Sequence, residues 1–309
     1  MTMTRRVSVA IGSAAVAIGL LAGCAGSTGS GTGGPAGSVT VPPGTSLATA
    51  STTGPFSSTC ETVDGPTERP IPTPTGPPML TVTQGSNFWI ANSSTEPYAI
   101  AVYPDGTAIR AEADGSYAEK LPELTIGRID PCLLARTVFD LVELAGTDLG
   151  DPTITDQGTT SVALSATATS GPDLMISAYA LGIGDEYVEP AQREGRRQLS
   201  AAIGELLDGV QNDRPWTPES LRVTSLGTPQ GNLADRPPAL TWPPDGDLES
   251  TVGQNGTTAA CGELTGSDAA AVLQVLGGQP AATMWTDGRQ NLVLAIGVLV
   301  PGQAACPIR

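Results

Sequence analysis

Histidine is absent from this chain of 309 residues. Its absence removes the Ser-His and Cys-His nucleophile pairs and the commonest ligand for zinc and non-haem iron. Lysine occurs once, at Lys120, and the nearest serine to it is Ser116, four positions earlier in a polar stretch, so a Ser–Lys dyad has little to build on. Lys and Arg total 15 against 31 Asp and Glu, a net charge of −16. That balance excludes nucleic acid or anionic headgroups bound through a basic patch, and its first use is solubility. Aromatic residues are 4% of the chain. Each of the four tryptophans, Trp89, Trp216, Trp242 and Trp285, is therefore expected to anchor a core or an interface. Trp242, flanked by Pro243 and Pro244, is the candidate for an exposed binding aromatic.

Calcium motifs are missing too. Asp-Gly pairs stand at 105, 114, 245 and 287, but none continues into the EF-hand pattern with its later Glu. Asp245-Gly-Asp247 with Glu249 is the nearest acidic cluster, and turn formation explains it. The Gly-rich runs near 29–34 follow no strand, so they cradle no phosphate. The expectation is no metal, no cofactor and no catalytic residue. Carboxylate-pair chemistry is left formally open, because sequence does not show which carboxylates approach one another.

What is present begins with an export signal. Arg5 and Arg6 precede an apolar run from Val7 to Leu21 that is too short to cross a bilayer of ~30 Å. It closes on Leu21-Ala22-Gly23-Cys24, which resembles the lipobox of bacterial lipoproteins. The resemblance implies cleavage after residue 23, lipid on Cys24, and residence on the outer face of the cytoplasmic membrane. Residues 24–78 form a Gly/Ser/Thr/Pro-rich tether that cannot bury enough apolar surface to fold. About fifty such residues reach roughly 40 Å.

Beyond the tether the fold class is α+β, with antiparallel hairpins alternating with helices. Tyr98–Tyr103 and Thr107–Ala111 flank the turn Pro104-Asp105-Gly106. Asp130-Pro131 opens a helix whose apolar residues recur to Leu144. Thr159–Thr169 and Leu174–Leu181 make a second hairpin. Glu189-Pro190 opens a second helix, with Leu199, Ile203 and Leu206 apolar and Arg193, Arg196 and Arg197 on the wet side. Strand character is also expected at 79–82 and 87–91. These elements define a domain over 79–210. Residues 211–255 are expected to wrap as a Pro-rich connection without regular elements. Residues 256–309 form a last unit, with a helix capped by Thr265-Gly-Ser267 over 269–276 and a hairpin of 281–285 with 291–300. Cys132 and Cys261 are each expected to open a helix followed by a hairpin, either as a degenerate repeat or as two ordinary units.

Besides Cys24 there are four cysteines, Cys60, Cys132, Cys261 and Cys306, an even number in an exported chain. None has CxxC spacing, and three pairings exist. Cys261 with Cys306 would close the last unit, a loop worth about 3–4 kcal/mol by chain entropy. Cys60 with Cys132 would then dock the tether at the start of the first helix.

The series Tyr103-Pro-Asp-Gly106, Thr155-Asp-Gln-Gly-Thr-Thr-Ser-Val162, Tyr179-Ala-Leu-Gly182, Arg196-Arg-Gln-Leu199, Thr241-Trp-Pro243, Cys261-Gly-Glu-Leu-Thr-Gly266, Thr283-Met-Trp285 and Leu299-Val-Pro-Gly-Gln-Ala-Ala-Cys306 resembles a group of exported actinobacterial lipoproteins. The resemblance covers most of 98–306 and implies architecture and location, but no activity. Asp130-Pro-Cys-Leu-Leu134 is similar to the opening of another actinobacterial lipoprotein family. The hairpin–helix order is similar to emfourin-type metalloprotease inhibitors. The function expected is non-catalytic binding of an envelope protein or glycan. Protease inhibition is the first alternative and a carboxylate-based hydrolase the second. An exposed edge strand would favour inhibition, a deep cleft with paired carboxylates an enzyme, and a large apolar cavity a lipid carrier.

Overall fold

Two alternating strands separated by Pro104-Asp-Gly106 set the register for a large antiparallel sheet. In the computed structural model, β2 (Tyr98–Val102) and β3 (Thr107–Ala111) pair as a hairpin. The turn is closed by Asp105, whose carboxylate accepts from Thr107 N and Thr107 Oγ1, both at 2.9 Å. The structure describes residues 71–85, 98–112, 120–229, 237–245, 247–252 and 261–306. The signal peptide, Cys24, Cys60, Trp89 and the strand expected at 87–91 lie outside them.

The hairpin belongs to a seven-stranded sheet in the order β6-β5-β1-β2-β3-β4-β7. Its other strands are β1 (Leu80–Gln84), β4 (Leu124–Ile129), β5 (Thr159–Leu164), β6 (Leu174–Tyr179) and β7 (Val210–Pro215). Every pairing in it is antiparallel. Helices α1 (Pro131–Leu144) and α3 (Pro190–Asp208) cover one face. Asp130 caps α1 by accepting from Cys132 N and Leu133 N, at 2.9 and 3.1 Å. Glu189 and Gln192 form a capping box on α3, which satisfies amides that a helix start leaves without partners. Leu134, Leu141, Leu199 and Leu206 are buried against Leu80, Ile100, Val162 and Ile176. Each fully buried side chain of this size contributes about 1.5–3 kcal/mol. The α+β reading holds, and all described residues fall within one compact unit.

A second sheet of five strands has the order β10-β8-β12-β11-β9. It contains β8 (Ser220–Ser225), β9 (Leu240–Thr241), β10 (Cys261–Thr265), β11 (Ala282–Thr286) and β12 (Asn291–Leu299). The short helix α4 (Leu248–Val252) and α5 (Gly266–Leu276) complete its core. The opposite face of the larger sheet meets this half of the molecule. Ala101, Tyr103, Ile109 and Ile126 pack with Ile71, Val300 and Trp216, and Tyr103 Oη donates to Pro301 O at 3.1 Å.

Several expectations are corrected here. The segment expected to wrap between units instead supplies β7, β8, β9 and α4. β8 is an interior strand, paired to both β10 and β12, so residues 256–309 are not a self-contained unit. The alternation was present in Ser-Leu-Arg-Val-Thr-Ser, with Leu221 and Val223 both fully buried. β7 reads as polar because it is an exposed edge. It approaches β4 across a bulge between Ile126 and Arg128, where a Cβ at Gly127 would collide with Val210. β4 itself was not foreseen. Residues 166–169, expected as strand, form the single helical turn α2 (Ala166–Thr169). Cys261 opens a strand and not a helix, so the two cysteine-led segments do not superpose as a repeat.

Candidate functional site

Arg196 sits seven residues into α3, on the side expected to face water. It is fully buried. Its Nε donates to Asp185 Oδ1 at 2.6 Å, and its Nη2 donates to Ala180 O at 2.6 Å and Tyr179 O at 2.9 Å. Its Nη1 donates to Leu149 O at 3.5 Å. A buried guanidinium is tolerated when its donors are matched in this way. The arginine ties α3 to the end of β6 and to the loop leading into the 3₁₀ turn Asp185–Tyr187. This is a structural clamp.

Trp242 is also corrected: it is 5% exposed. It packs edge-to-face on the fully buried Trp285, with ring centroids 5.4 Å apart and planes at 88°. Its flanking prolines suggested a surface loop, but the short strand β9 pairs parallel to β11 and carries the indole into the core. Trp216 is the tryptophan that borders a cavity.

Cavities lined by described residues include three to be considered for a site. The first is a cleft of about 500 Å³ between α1 and α3. Ala191, Gly195, Ala201, Ala202 and Leu144 line it with small or apolar surface, and Asp140, Glu143, Glu194 and Glu205 bring carboxylates to it. Glu194 is bonded by Arg197 and Gln198, which hold its carboxyl below the ordinary range, with the hydrogen bond from Arg197 the larger cause. Glu205 pairs with Arg136 at 2.7 Å. These pairs are exposed and contribute little stability. The described lining of the cleft is thus mostly carboxylates and small or apolar side chains, with Arg197 the one cation.

The second cavity, about 340 Å³, lies where the two sheets meet, beside Trp216, Glu219, Glu263 and Gln303. The third is a smaller hollow of about 210 Å³ lined by Met79, Pro104, Pro131, Leu134 and Thr167. It is too small for an acyl chain carrier's cavity. Among the described residues no group of three His, Cys, Asp or Glu could hold a metal ion, and no helix is long and apolar enough to cross a membrane. Asp247 and Asp287 serve turns, as their spacing suggested. Asp247 accepts from Ser250 N at 2.7 Å, and Asp287 accepts from Arg289 N and Gln290 N, both at 2.9 Å.

β6 is an edge strand of the larger sheet. Ala180 N donates to Gly158 O and Gly85 N donates to Thr159 O, each at 2.8 Å. With the register of β5 against β1 and β6, these bonds fix the alternation. Leu174, Ile176 and Ala178 bond inward to β5, and Met175 and Ser177 turn their amides and carbonyls outward. Met175 is 65% exposed. By contrast the other edge strand of that sheet, β7, carries Asp213, Arg214 and Pro215, which blunt an edge.

The cysteines divide. Cys261 and Cys306 form the expected disulfide, with Cα atoms 5.8 Å apart. Cys132 is also disulfide-bonded, to a partner outside the described residues. No family model, curated protein or solved structure matches this chain.

Proposed function

We propose that this chain is an exported lipoprotein, anchored by lipid on Cys24 to the outer face of the cytoplasmic membrane, that recognises a protein partner of the envelope without catalysing a reaction on it. The lipobox-like sequence before Cys24 and the resemblance of the ordered motifs to those of exported lipoproteins support the address. The proposal includes a Cys60–Cys132 disulfide that docks the tether at the start of α1. The recognition reading rests on the cleft between α1 and α3. Its small-residue floor admits a side chain or a helix ridge, and its carboxylates match a cationic segment.

Two measurements test this. Cys24→Ala should abolish lipid attachment, seen as a loss of mass, and release the protein to the soluble fraction. Unchanged membrane partitioning of that variant would refute the anchor. A photo-crosslinking residue at Ala201, an exposed position lining the cleft, should give a discrete protein adduct in intact cells. Asp140→Lys with Glu143→Lys should remove it, and the same probe at Val275 on α5 should not give it. An adduct indifferent to the charge reversal would refute recognition by this cleft.

A second reading, protease inhibition, is favoured by the uncharged edge strand β6, since an extended segment can add to such an edge. On that reading Ser177→Pro, which deletes an outward amide, should abolish inhibition of a broad-specificity metalloprotease that the parent chain slows.

A further inference from the structure

The cavity at the meeting of the two sheets is built differently from the helical cleft. Its back wall is Val300, 2% exposed at the end of β12. One side is Trp216, held in place by its backbone N, which donates to Leu124 O at 2.8 Å. The other side is the chain turning at Pro301-Gly302. There Gly302 adopts a φ of +77°, and a Cβ would collide with the backbone of Gly76. That close crossing brings Thr73 and Pro74 to the rim. The disulfide Cys261–Cys306 and the bond from Arg222 Nη2 to Ala304 O at 3.3 Å tie the tail down behind it. The pocket is therefore walled by segments fixed through covalent and long-range contacts, which favours a preformed site.

The chemistry of its lining is one-sided. Glu219 and Glu263 offer acceptor oxygens, and Ser220 adds a hydroxyl. Among the described residues no arginine or lysine lines it. Trp216, half-buried, presents the one aromatic surface.

A ligand that fits must donate several hydrogen bonds, carry no negative charge, and have an apolar face to lie on an indole. A neutral sugar ring has all three properties: hydroxyl donors around its rim, no charge, and C–H groups on one face that meet the electron-rich surface of an aromatic ring. The volume of about 340 Å³ lies at the lower end of ligand sites, roughly 300–1,000 Å³, and suits a terminal sugar unit of a longer chain. We propose that this pocket binds a neutral saccharide, with Trp216 as the stacking platform and Glu219 and Glu263 as hydroxyl acceptors. The site is separate from the cleft between α1 and α3 and stands whether or not that cleft binds a protein.

Ligand-observed saturation-transfer NMR on the full mature chain, disulfides intact, tests it. The probes are neutral gluco-, galacto-, manno- and arabino-oligosaccharides, a galacturonate oligosaccharide and n-butylammonium. At least one neutral oligosaccharide should show saturable transfer to its ring protons. Trp216→Ala should weaken it about tenfold or more, a loss of about 1.4 kcal/mol. Trp216→Phe should retain most of the binding, and Glu219→Ala with Glu263→Ala should weaken it several-fold. These milder variants keep the test decisive if Trp216→Ala unfolds, which near-UV circular dichroism of the buried Trp242–Trp285 pair reports. The uronate probe should bind at least about tenfold more weakly, because the two carboxylates repel it. No saturable neutral saccharide, binding unaffected by Glu219→Ala with Glu263→Ala, or binding of the alkylammonium alone would each overturn the proposal.

Discussion

Replacing Arg196 by methionine tests the clamp that joins α3 to β6. Methionine keeps the stem's volume and removes the guanidinium. Asp185 Oδ1 and Tyr179 O then lose a donor within 3 Å, and Ala180 O loses one of two, keeping Ile183 N at 2.9 Å. The Asp185 side chain is 29% exposed, so water recovers much of its loss. Tyr179 O lies against a fully buried side chain and recovers less. One stranded buried acceptor costs about 1–3 kcal/mol. Losing one partner of a buried ion pair costs about 3–5 kcal/mol. The expected destabilisation is therefore about 3 kcal/mol, where the two ranges meet. With a urea dependence of about 2–3 kcal/mol per molar, the unfolding midpoint falls by roughly 1–1.5 M. Arg196→Lys retains the charge but reaches fewer acceptors and should cost about half as much. Urea unfolding with disulfides intact, followed by circular dichroism and tryptophan fluorescence together, measures this. A loss below about 1 kcal/mol for Arg196→Met would show that the carbonyls find other donors and that the clamp is dispensable.

Trp242→Ala should cost about 3 kcal/mol by opening a cavity beside Trp285. Trp242→Phe should cost much less, because the buried indole N–H it removes has no hydrogen-bond partner; equal losses in thermal unfolding would refute this. Cys261→Ser with Cys306→Ser opens a loop with a sequence separation of 45 and should cost about 3–4 kcal/mol, read as a lower urea midpoint than the parent's. On the acid side, Asp148, Asp247 and Asp287 each accept backbone amides that hold their carboxyls below the ordinary range. A lowered folded-state pKa adds stability that is present above the unfolded value, near ~4, and is lost as pH falls through the folded value. The melting temperature should thus be insensitive to these groups between pH 7 and 5 and decline below pH ~4. Asp287→Asn should make that decline shallower; an unchanged acid slope would refute its part.

The elements legible in the sequence are those set by contacts a few residues long. Asp130-Pro131 and Glu189-Pro190 start helices because a carboxylate reaches amides two or three positions on. Pro104-Asp-Gly106 turns because Asp105 bonds Thr107 and Gly106 accepts a φ of +79°. The Cys261–Cys306 pair was legible because the two cysteines bracket one helix and one hairpin, although β8, from outside that segment, lies between β10 and β12. The structure decided what depends on distant partners. Arg196 is buried because carbonyls from Leu149, Tyr179 and Ala180 converge on it, and a helical wheel holds no record of those groups. Trp242 is buried because two residues of β9 pair with β11, too short a strand to announce itself among prolines. β8 is interior because β10 and β12 reach it from both sides, and its four polar residues masked the alternation of Leu221 and Val223. The sugar-sized pocket draws on chain positions from Thr73 to Gln303. Only the crossing of Gly302 over Gly76, with no Cβ between them, brings its rims together.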